Sequence, residues 1–147
     1  MTDNVPRMGR PSSFTQGVAD MLCERLAEGE SLRAICEDDG MPHRATVFRW
    51  LAVNEMFRDQ YAWAKDAQAE TYADEIVAIA DDRQGDYIER DGNVVYNAEH
   101  VNRSRLRVDA RKWVASKLKP KKYGDRLDVE SKGSLTITIQ SGDAGFT

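Results

Sequence analysis

SLRAICEDDGMPHRATVFRWLAVN, residues 31–54, decides how the chain folds. Ser31 is suited to cap a helix, Leu32 and Ile35 or Cys36 give that helix an apolar side, and Gly40 is expected to end it in the left-handed conformation. After Met41-Pro42 a second helix can start near Arg44. There Val47, Trp50 and Leu51 recur at i, i+3 and i+4 and face a core, leaving Ala45, Phe48, Arg49 and Ala52 on the other side. Two short helices joined by a tight turn form a helix-turn-helix, whose second helix enters the DNA major groove.

Upstream, Ser12 or Ser13 is expected to cap a supporting helix that runs to about Glu28. It places Phe14, Val18, Met21, Leu22 and Leu26 on one side and stops at Gly29. Residues 1–11 are polar and aperiodic and read as a flexible arm. Gly9-Arg10-Pro11 can lie in a minor groove, with Arg10 drawn by its negative potential and Arg7 by a phosphate. The predicted DNA-binding domain is therefore 12–54, and its DNA contacts are Arg7, Arg10, Arg33, His43, Arg44, Thr46 and Arg49.

Downstream, Asn54 caps a long helix, about Glu55 to Ala80, without Gly or Pro. Phe57, Tyr61, Ala64, Tyr72, Ile76 and Ile79 form one stripe; Ala62, Ala69, Ala73 and Ala80 form another, small enough for a second helix to approach closely. Such a helix reaches roughly 39 Å, longer than the helix-turn-helix needs, which points to packing against other subunits. Residues 83–96 break the pattern, and Asp91-Gly92 between Tyr87-Ile88 and Val94-Val95 signals a projecting hairpin. A second long helix begins at Asn97 or Asn102 and ends near Leu118, because Lys119-Pro120 cannot continue it. Val101, Ser104, Val108 and Ala115 line one of its sides; Leu106, Ala110 and Trp113 line another. Residues 55–122 thus read as a central oligomerisation domain.

Lys119–Lys122 read as a basic tether. In 123–140, Leu127 to Glu130 and Leu135 to Ile139 alternate with period two. Leu135, Ile137 and Ile139 share a face that one hairpin cannot cover alone, so copies from other subunits are expected to cover it, as in an intersubunit β-barrel. Residues 141–147 read as a flexible tail. The fold class is mainly α, with an N-terminal helix-turn-helix, long central helices and a small C-terminal β-hairpin.

Charge sharpens this division. The 147 residues carry a net −4, unusual for a DNA binder. Residues 55–100 hold 4 basic and 12 acidic groups (−8), whereas 101–126 hold 10 and 2 (+8). These segments can neutralise one another within or between subunits. Arg103, Arg105, Arg107, Arg111, Lys112 and Lys117 are expected to meet Asp66, Glu70, Asp74 and Glu75.

Catalytic chemistry has little to stand on. The chain has no GxxxxGK[ST] loop for ATP and only His43 and His100 as histidines. Asp81-Asp82 reads as a solvated pair at a helix end, and Cys23 and Cys36 as buried free thiols. No cofactor or metal is expected. No charged leader with an apolar core opens the sequence and no stretch is apolar enough to span a bilayer, so a cytosolic protein is expected.

Taken in order, GRPS (9–12), ESLRAIC (30–36), MPHRATVFRWL (41–51), FRDQYAWAKDAQAE (57–70), RSRLRVDARKW (103–113) and PKKYGD (120–125) resemble the small subunit of a tailed-phage terminase, the DNA-recognition component of a genome-packaging motor. The resemblance implies a non-catalytic adaptor in the cytoplasm of an infected bacterium, with double-stranded phage DNA and the large terminase subunit, an ATPase and nuclease, as partners. It also implies a homo-oligomeric ring of roughly eight to ten subunits. Ala62, Ala69, Ala73, Ile76, Ala80, Val108, Trp113, Leu135, Ile137 and Ile139 would then line subunit contacts. The helix-turn-helix also resembles that of DNA invertases: Thr46 and Arg49 occupy the polar and arginine positions of their reading helix, while Ala45 and Phe48 replace a polar reader and a phosphate-binding tyrosine. Few base-specific contacts follow. The rival expectation is a dimeric helix-turn-helix repressor; a recombinase remnant is a third.

Overall fold

Gly29 ends the first helix, and it does so by the complete arrangement of hydrogen bonds that a left-handed residue permits. The computed structural model describes residues 9–125. In it, α1 spans Gln16–Ala27 and Gly29 adopts φ 104°. The amide of Gly29 donates to the Leu26 carbonyl at 3.0 Å, and that of Glu30 to Arg25 at 3.1 Å, which satisfies two carbonyls the helix would otherwise leave open. The N-terminal cap is Thr15, whose hydroxyl accepts from the Val18 amide, and not Ser12 or Ser13. The shift has a packing cause: Phe14, just before the cap, is held against Trp50 with ring centroids 5.3 Å apart, and this fixes where the chain enters the helix. Ala19 and Cys23 join Leu22 and Leu26 on the buried side, and Met21 is exposed.

The short helix α2, Leu32–Ile35, is capped by Ser31, whose hydroxyl accepts from the Ala34 amide at 3.2 Å. It is shorter than the sequence suggested. Turns occupy 36–40, and Gly40 is not left-handed; the helix yields at Cys36, whose amide closes back on Leu32. Helix α3, Arg44–Val53, follows, with the Nδ1 atom of His43 accepting from the Ala45 amide at 3.4 Å. Helix α4, Glu55–Asp81, starts one residue later, Asn54 accepting from the Phe57 amide at 3.0 Å.

The core does not stop at residue 54. Phe57 and Ala64 of α4 are buried with Leu22, Leu26, Ile35, Val47 and Trp50 in one cluster, and Tyr61 packs on it. The helix-turn-helix is thus a four-helix unit in which the long helix supplies one wall. α4 also supplies polar ties. Buried Gln68 donates to the Glu30 carbonyl at 2.7 Å, the Thr71 hydroxyl to the Ala27 carbonyl at 2.6 Å, and the Tyr72 hydroxyl to the Gly29 carbonyl at 3.0 Å. All three acceptors lie at or just past the end of α1, where backbone carbonyls lack helical partners.

After α4 the chain turns through a hairpin, β1 (Tyr87–Arg90) and β2 (Asn93–Tyr96), paired antiparallel with Tyr87 opposite Tyr96 and Arg90 opposite Asn93. Asp91 and Gly92 both have positive φ, 53° and 76°, the requirement of a two-residue turn that matches the strand twist. Tyr87, Val94 and Tyr96 are exposed, in keeping with projection. Helix α5, Ala98–Leu118, is capped by Asn97 and returns along α4, making the most extensive helix-helix packing among the described residues.

Residues 119–122 are more ordered than a tether. Pro120, which cannot continue α5, is well placed to begin a helix, and α6 spans Pro120–Tyr123. Glu70 of α4 anchors it, accepting from Lys119 at 2.6 Å, from Lys122 at 2.7 Å and from the Tyr123 hydroxyl at 2.6 Å. These donors hold the Glu70 carboxyl at a pKa of about 2, below the usual 4.5. A depressed carboxylate stabilises the fold above pH about 4.5, and that contribution is lost as pH falls through the folded value. Accordingly, amide protection at 122–124 should decline between pH 4.5 and 2 in the wild type. In Glu70→Gln it should be low at neutral pH and flat across that window; equal protection in both proteins would show that the anchor does nothing.

Of the predicted ion pairs, Arg111–Glu75 forms. Asp66 and Glu70 are met by Lys119 and Lys122 from beyond α5 instead of by its more upstream bases. Arg103 pairs only with Glu99 on its own helix, at 3.8 Å, among the described residues. Of the expected β segment 123–140, Tyr123 instead closes α6, held there by Glu70; Leu135, Ile137 and Ile139, and the tail, lie outside the described residues.

Candidate nucleic-acid interface

Four of the predicted DNA contacts come together around the start of α3. Arg10, Arg33, His43 and Arg44 line one shallow concavity of about 690 Å³, together with Cys36, Glu37, Ala45 and Phe48. The elements that place them differ. His43 and Arg44 open α3, where free backbone amides and the helix dipole favour an anion. Arg33 sits on α2 and is only loosely held by Glu37, at 3.4 Å. The Arg44 guanidinium lies 5.8 Å from the centre of the Phe48 ring.

Arg10 is placed differently from the expectation of an arm reaching outward. Its guanidinium donates to the carbonyls of Cys36 at 2.8 Å and Glu37 at 3.3 Å, in the turn that follows α2. The carbonyls of Leu32, Ala34 and Ile35 are taken by the amides of Cys36, Glu37 and Asp38, and Arg10 satisfies the next two, those of the turn itself. The charge of the arm is thereby added to the concavity. Arg7 lies outside the described residues.

The outward side of α3 is as expected for Ala45, Phe48, Arg49 and Ala52, of which Phe48, Arg49 and Ala52 are exposed along the helix and Ala45 lines the concavity at its start. Thr46 departs from the prediction. At 8% exposure it is turned inward, and its hydroxyl accepts from the Arg49 guanidinium at 3.4 Å. It lies four residues before Trp50, on the same side of the helix, so its inward position follows from helical spacing. Thr46 thus lies off the outward side of α3, with Arg49 as its hydrogen-bond partner.

The sequence reading missed Arg25. Its guanidinium donates to both carboxylate oxygens of Glu30, at 2.8 and 2.5 Å, and to Asp38 at 2.5 Å. One side chain thus clamps the turns at both ends of α2, and its hydrogen bonds hold Glu30 below the usual carboxylate range. It also neutralises two acids that would oppose a polyanion. Bidentate geometry made arginine the residue for this place, but nothing local in the sequence marks it.

The predicted subunit-contact residues divide. Ala69 is fully buried within the chain's own packing, so it is unavailable to another subunit. Ala73, Ile76 and Val108 are half-buried; Ala62, Ala80 and Trp113 stand further out, with Trp113 63% exposed. Elsewhere, Asp81 and Asp82 are exposed, Asp82 accepting from the Gln84 amide. Cys23 and Cys36 are free and buried, and burial pushes the Cys23 thiol up to about 11. Among the described residues no group of three or more His, Cys, Asp or Glu is arranged to hold a metal, and no helix is long and apolar enough to cross a membrane.

Comparison with known proteins agrees with this architecture. Solved structures of the terminase small subunit gp1 of the bacterial virus Sf6, in single-substitution variants, are similar to this chain. Two of them share 39% identity with it, cover 93% of it and 100% of their own length, and have TM-scores of 0.65 and 0.64. The uncharacterized protein YffO of Escherichia coli strain K12 is 33% identical over 63 residues, a match spanning 42% of this chain and 46% of that protein, so the alignment covers about half of that relative. A family model described as bacteriophage Sf6, terminase small subunit-like, matches residues 14–130, and the chain belongs to that family.

Proposed function

We propose that this protein is the DNA-recognising adaptor of a phage genome-packaging motor. It holds double-stranded phage DNA and delivers it to a large terminase subunit that carries the ATPase and nuclease chemistry. The observation that supports this most directly is the convergence of Arg10, Arg33, His43 and Arg44 at the start of α3, with Arg49 on its exposed side. The cluster suits phosphates, which fix register without reading sequence. Arg49, steadied by Thr46, suits a bidentate contact to guanine, worth about 1–3 kcal/mol of discrimination.

So few contacts make each subunit a weak binder. A homo-oligomeric ring compensates, because each further helix-turn-helix acts at high effective concentration once the first is engaged. Exposed Trp113, with the small residues Ala62 and Ala80, leaves the long helices with surfaces suited to such an assembly. The chain itself acts without a cofactor, in the cytoplasm of the infected host.

Arg49→Ala tests the reading. Its gel shift with packaging-site duplex should weaken about 5- to 150-fold per engaged contact, and the preference over unrelated duplex should shrink. Native mass should stay that of the wild type. Unchanged shifts at moderate salt would remove α3 as the reading helix, and a wild type no larger than a dimer would favour a repressor.

A further inference from the structure

The outward side of α3 carries one group able to hydrogen-bond a base edge and three that are not. Arg49 is exposed there, while Thr46 and Trp50, the other side chains of residues 45–53 with a polar atom, are 8% and 4% exposed. Ala45, Phe48 and Ala52 are all exposed and recur at i, i+3 and i+7, so they form an apolar stripe beside Arg49. At 1.5 Å per residue the stripe is about 10 Å long, about three base-pair steps of 3.4 Å.

Single exposed apolar residues on a surface are ordinary. These three border the concavity of Arg10, Arg33, His43 and Arg44, and Ala45 and Phe48 line it themselves. Phe48 leaves 49% of its surface open, and the Arg44 guanidinium lies 5.8 Å from its ring centre. A duplex whose phosphates rest against those bases therefore brings its base edges to the stripe.

In the major groove the base edges are donors and acceptors except at one place, the C5-methyl group of thymine. An apolar side chain pressed on a polar edge displaces its water and replaces no hydrogen bond, which lowers affinity. Pressed on a methyl group, it buries apolar surface on both partners. Alanine and phenylalanine are among the side chains suited to that contact.

We propose that Ala45, Phe48 and Ala52 read thymine methyl groups, with Phe48, the largest, as the main reader. The preferred duplex then carries thymines facing α3 within about three base pairs of the guanine met by Arg49. The inference rests on α3 as the reading helix and adds which base it selects, and through which atoms.

The probe is a duplex library with a random core, from which the full-length protein selects its preferred sequence at moderate salt. That duplex is then made twice, with thymidine or with deoxyuridine throughout the core, which removes the methyl groups and keeps the pairing. The wild type should bind the deoxyuridine duplex about fourfold more weakly for each methyl group buried. Phe48→Ala should bind the thymidine duplex more weakly and lose much of the difference between the two. Its salt dependence should equal that of the wild type, because no phosphate contact has gone. Phe48→Leu, still apolar, should keep most of the difference, and both variants should melt near the wild-type temperature, since Phe48 lies outside the core cluster. Equal wild-type affinity for the two duplexes overturns the methyl reading and leaves DNA binding by α3 standing. A difference that is the same in wild type and Phe48→Ala overturns it too, because the effect then belongs to the deformability of the duplex. A library from which the protein retains no duplex removes the proposed function along with this inference.

Discussion

Phe57→Ala should destabilise the N-terminal unit by about 3–5 kcal/mol, the largest single-residue effect expected in this molecule. Phe57 is 1% exposed and stands where three elements converge. Its ring meets Phe14 at 5.6 Å, Trp50 at 6.0 Å and Tyr61 at 6.1 Å, each edge to face. Removing it opens a cavity that no flexible neighbour can fill, since Trp50 and Phe14 are fixed against each other. A domain of ordinary stability, about 5–15 kcal/mol, would lose a large part of its margin. The melting temperature should fall by about 6–20 °C at 2–4 °C per kcal/mol for a chain of this size. Trp50, the buried tryptophan beside two exposed ones, reports the loss as a red shift of fluorescence. Phe57→Leu keeps most of the volume and should cost far less. A melting temperature within about 2 °C of wild type for the alanine variant would mean that α4 is not a wall of this core.

Combined removal of Arg33, Arg44 and Arg49 by alanine should abolish detectable binding to duplex DNA at physiological salt without changing native mass. All three are exposed, and among the described residues none has a hydrogen-bonding or ionic partner closer than 3.4 Å, so folding loses little. Removing one phosphate partner makes the fall of log affinity with log salt shallower by about 0.9. Two such partners per subunit, multiplied over several engaged subunits, amount to orders of magnitude. Titration across salt concentrations measures this directly. A slope equal to that of the wild type would show that DNA is held elsewhere, and the outer side of α5, with Arg103 and Lys117, would be the place to look next.

The features of this fold that could be read in advance are those set by neighbours in sequence. Gly29, Asn54, Asn97 and Asp91-Gly92 end or begin elements because of short-range hydrogen bonds and allowed φ; the structure places Gly29, Asn54 and the turn as expected and selects Asn97 over Asn102. Of the two apolar sides expected on α5, the one with Val101, Val108 and Ala115 is covered, and the one with Leu106, Ala110 and Trp113 is exposed. The misses are tertiary. Thr15 outranks Ser12 and Ser13 because Phe14 is pinned by Trp50, far along the chain. Arg10 turns to the carbonyls of Cys36 and Glu37 in the turn after α2, 26 and 27 residues along the chain. Gln68, Thr71 and Tyr72 reach carbonyls 38 to 44 residues distant, and a polar residue on a helix gives no sign of which backbone group it will meet. Thr46 is the exception, since its spacing to Trp50 already placed it inward.

The hydrogen bonds from Gln68, Thr71 and Tyr72 to the end of α1 have a consequence for the periodicity of bound DNA. They tie the long helix to the end of α1, so in the proposed ring the angular step from one subunit to the next would also be the step between reading helices. Successive major-groove faces recur about every 10–10.5 base pairs, about 34–36 Å. A rigid array can engage consecutive turns only if its spacing matches that repeat or the DNA bends to meet it. Bending is cheapest at flexible steps such as TA and CA. The sequence preference of such an assembly would then reside as much in the phase of deformable steps along the duplex as in any base that Arg49 touches.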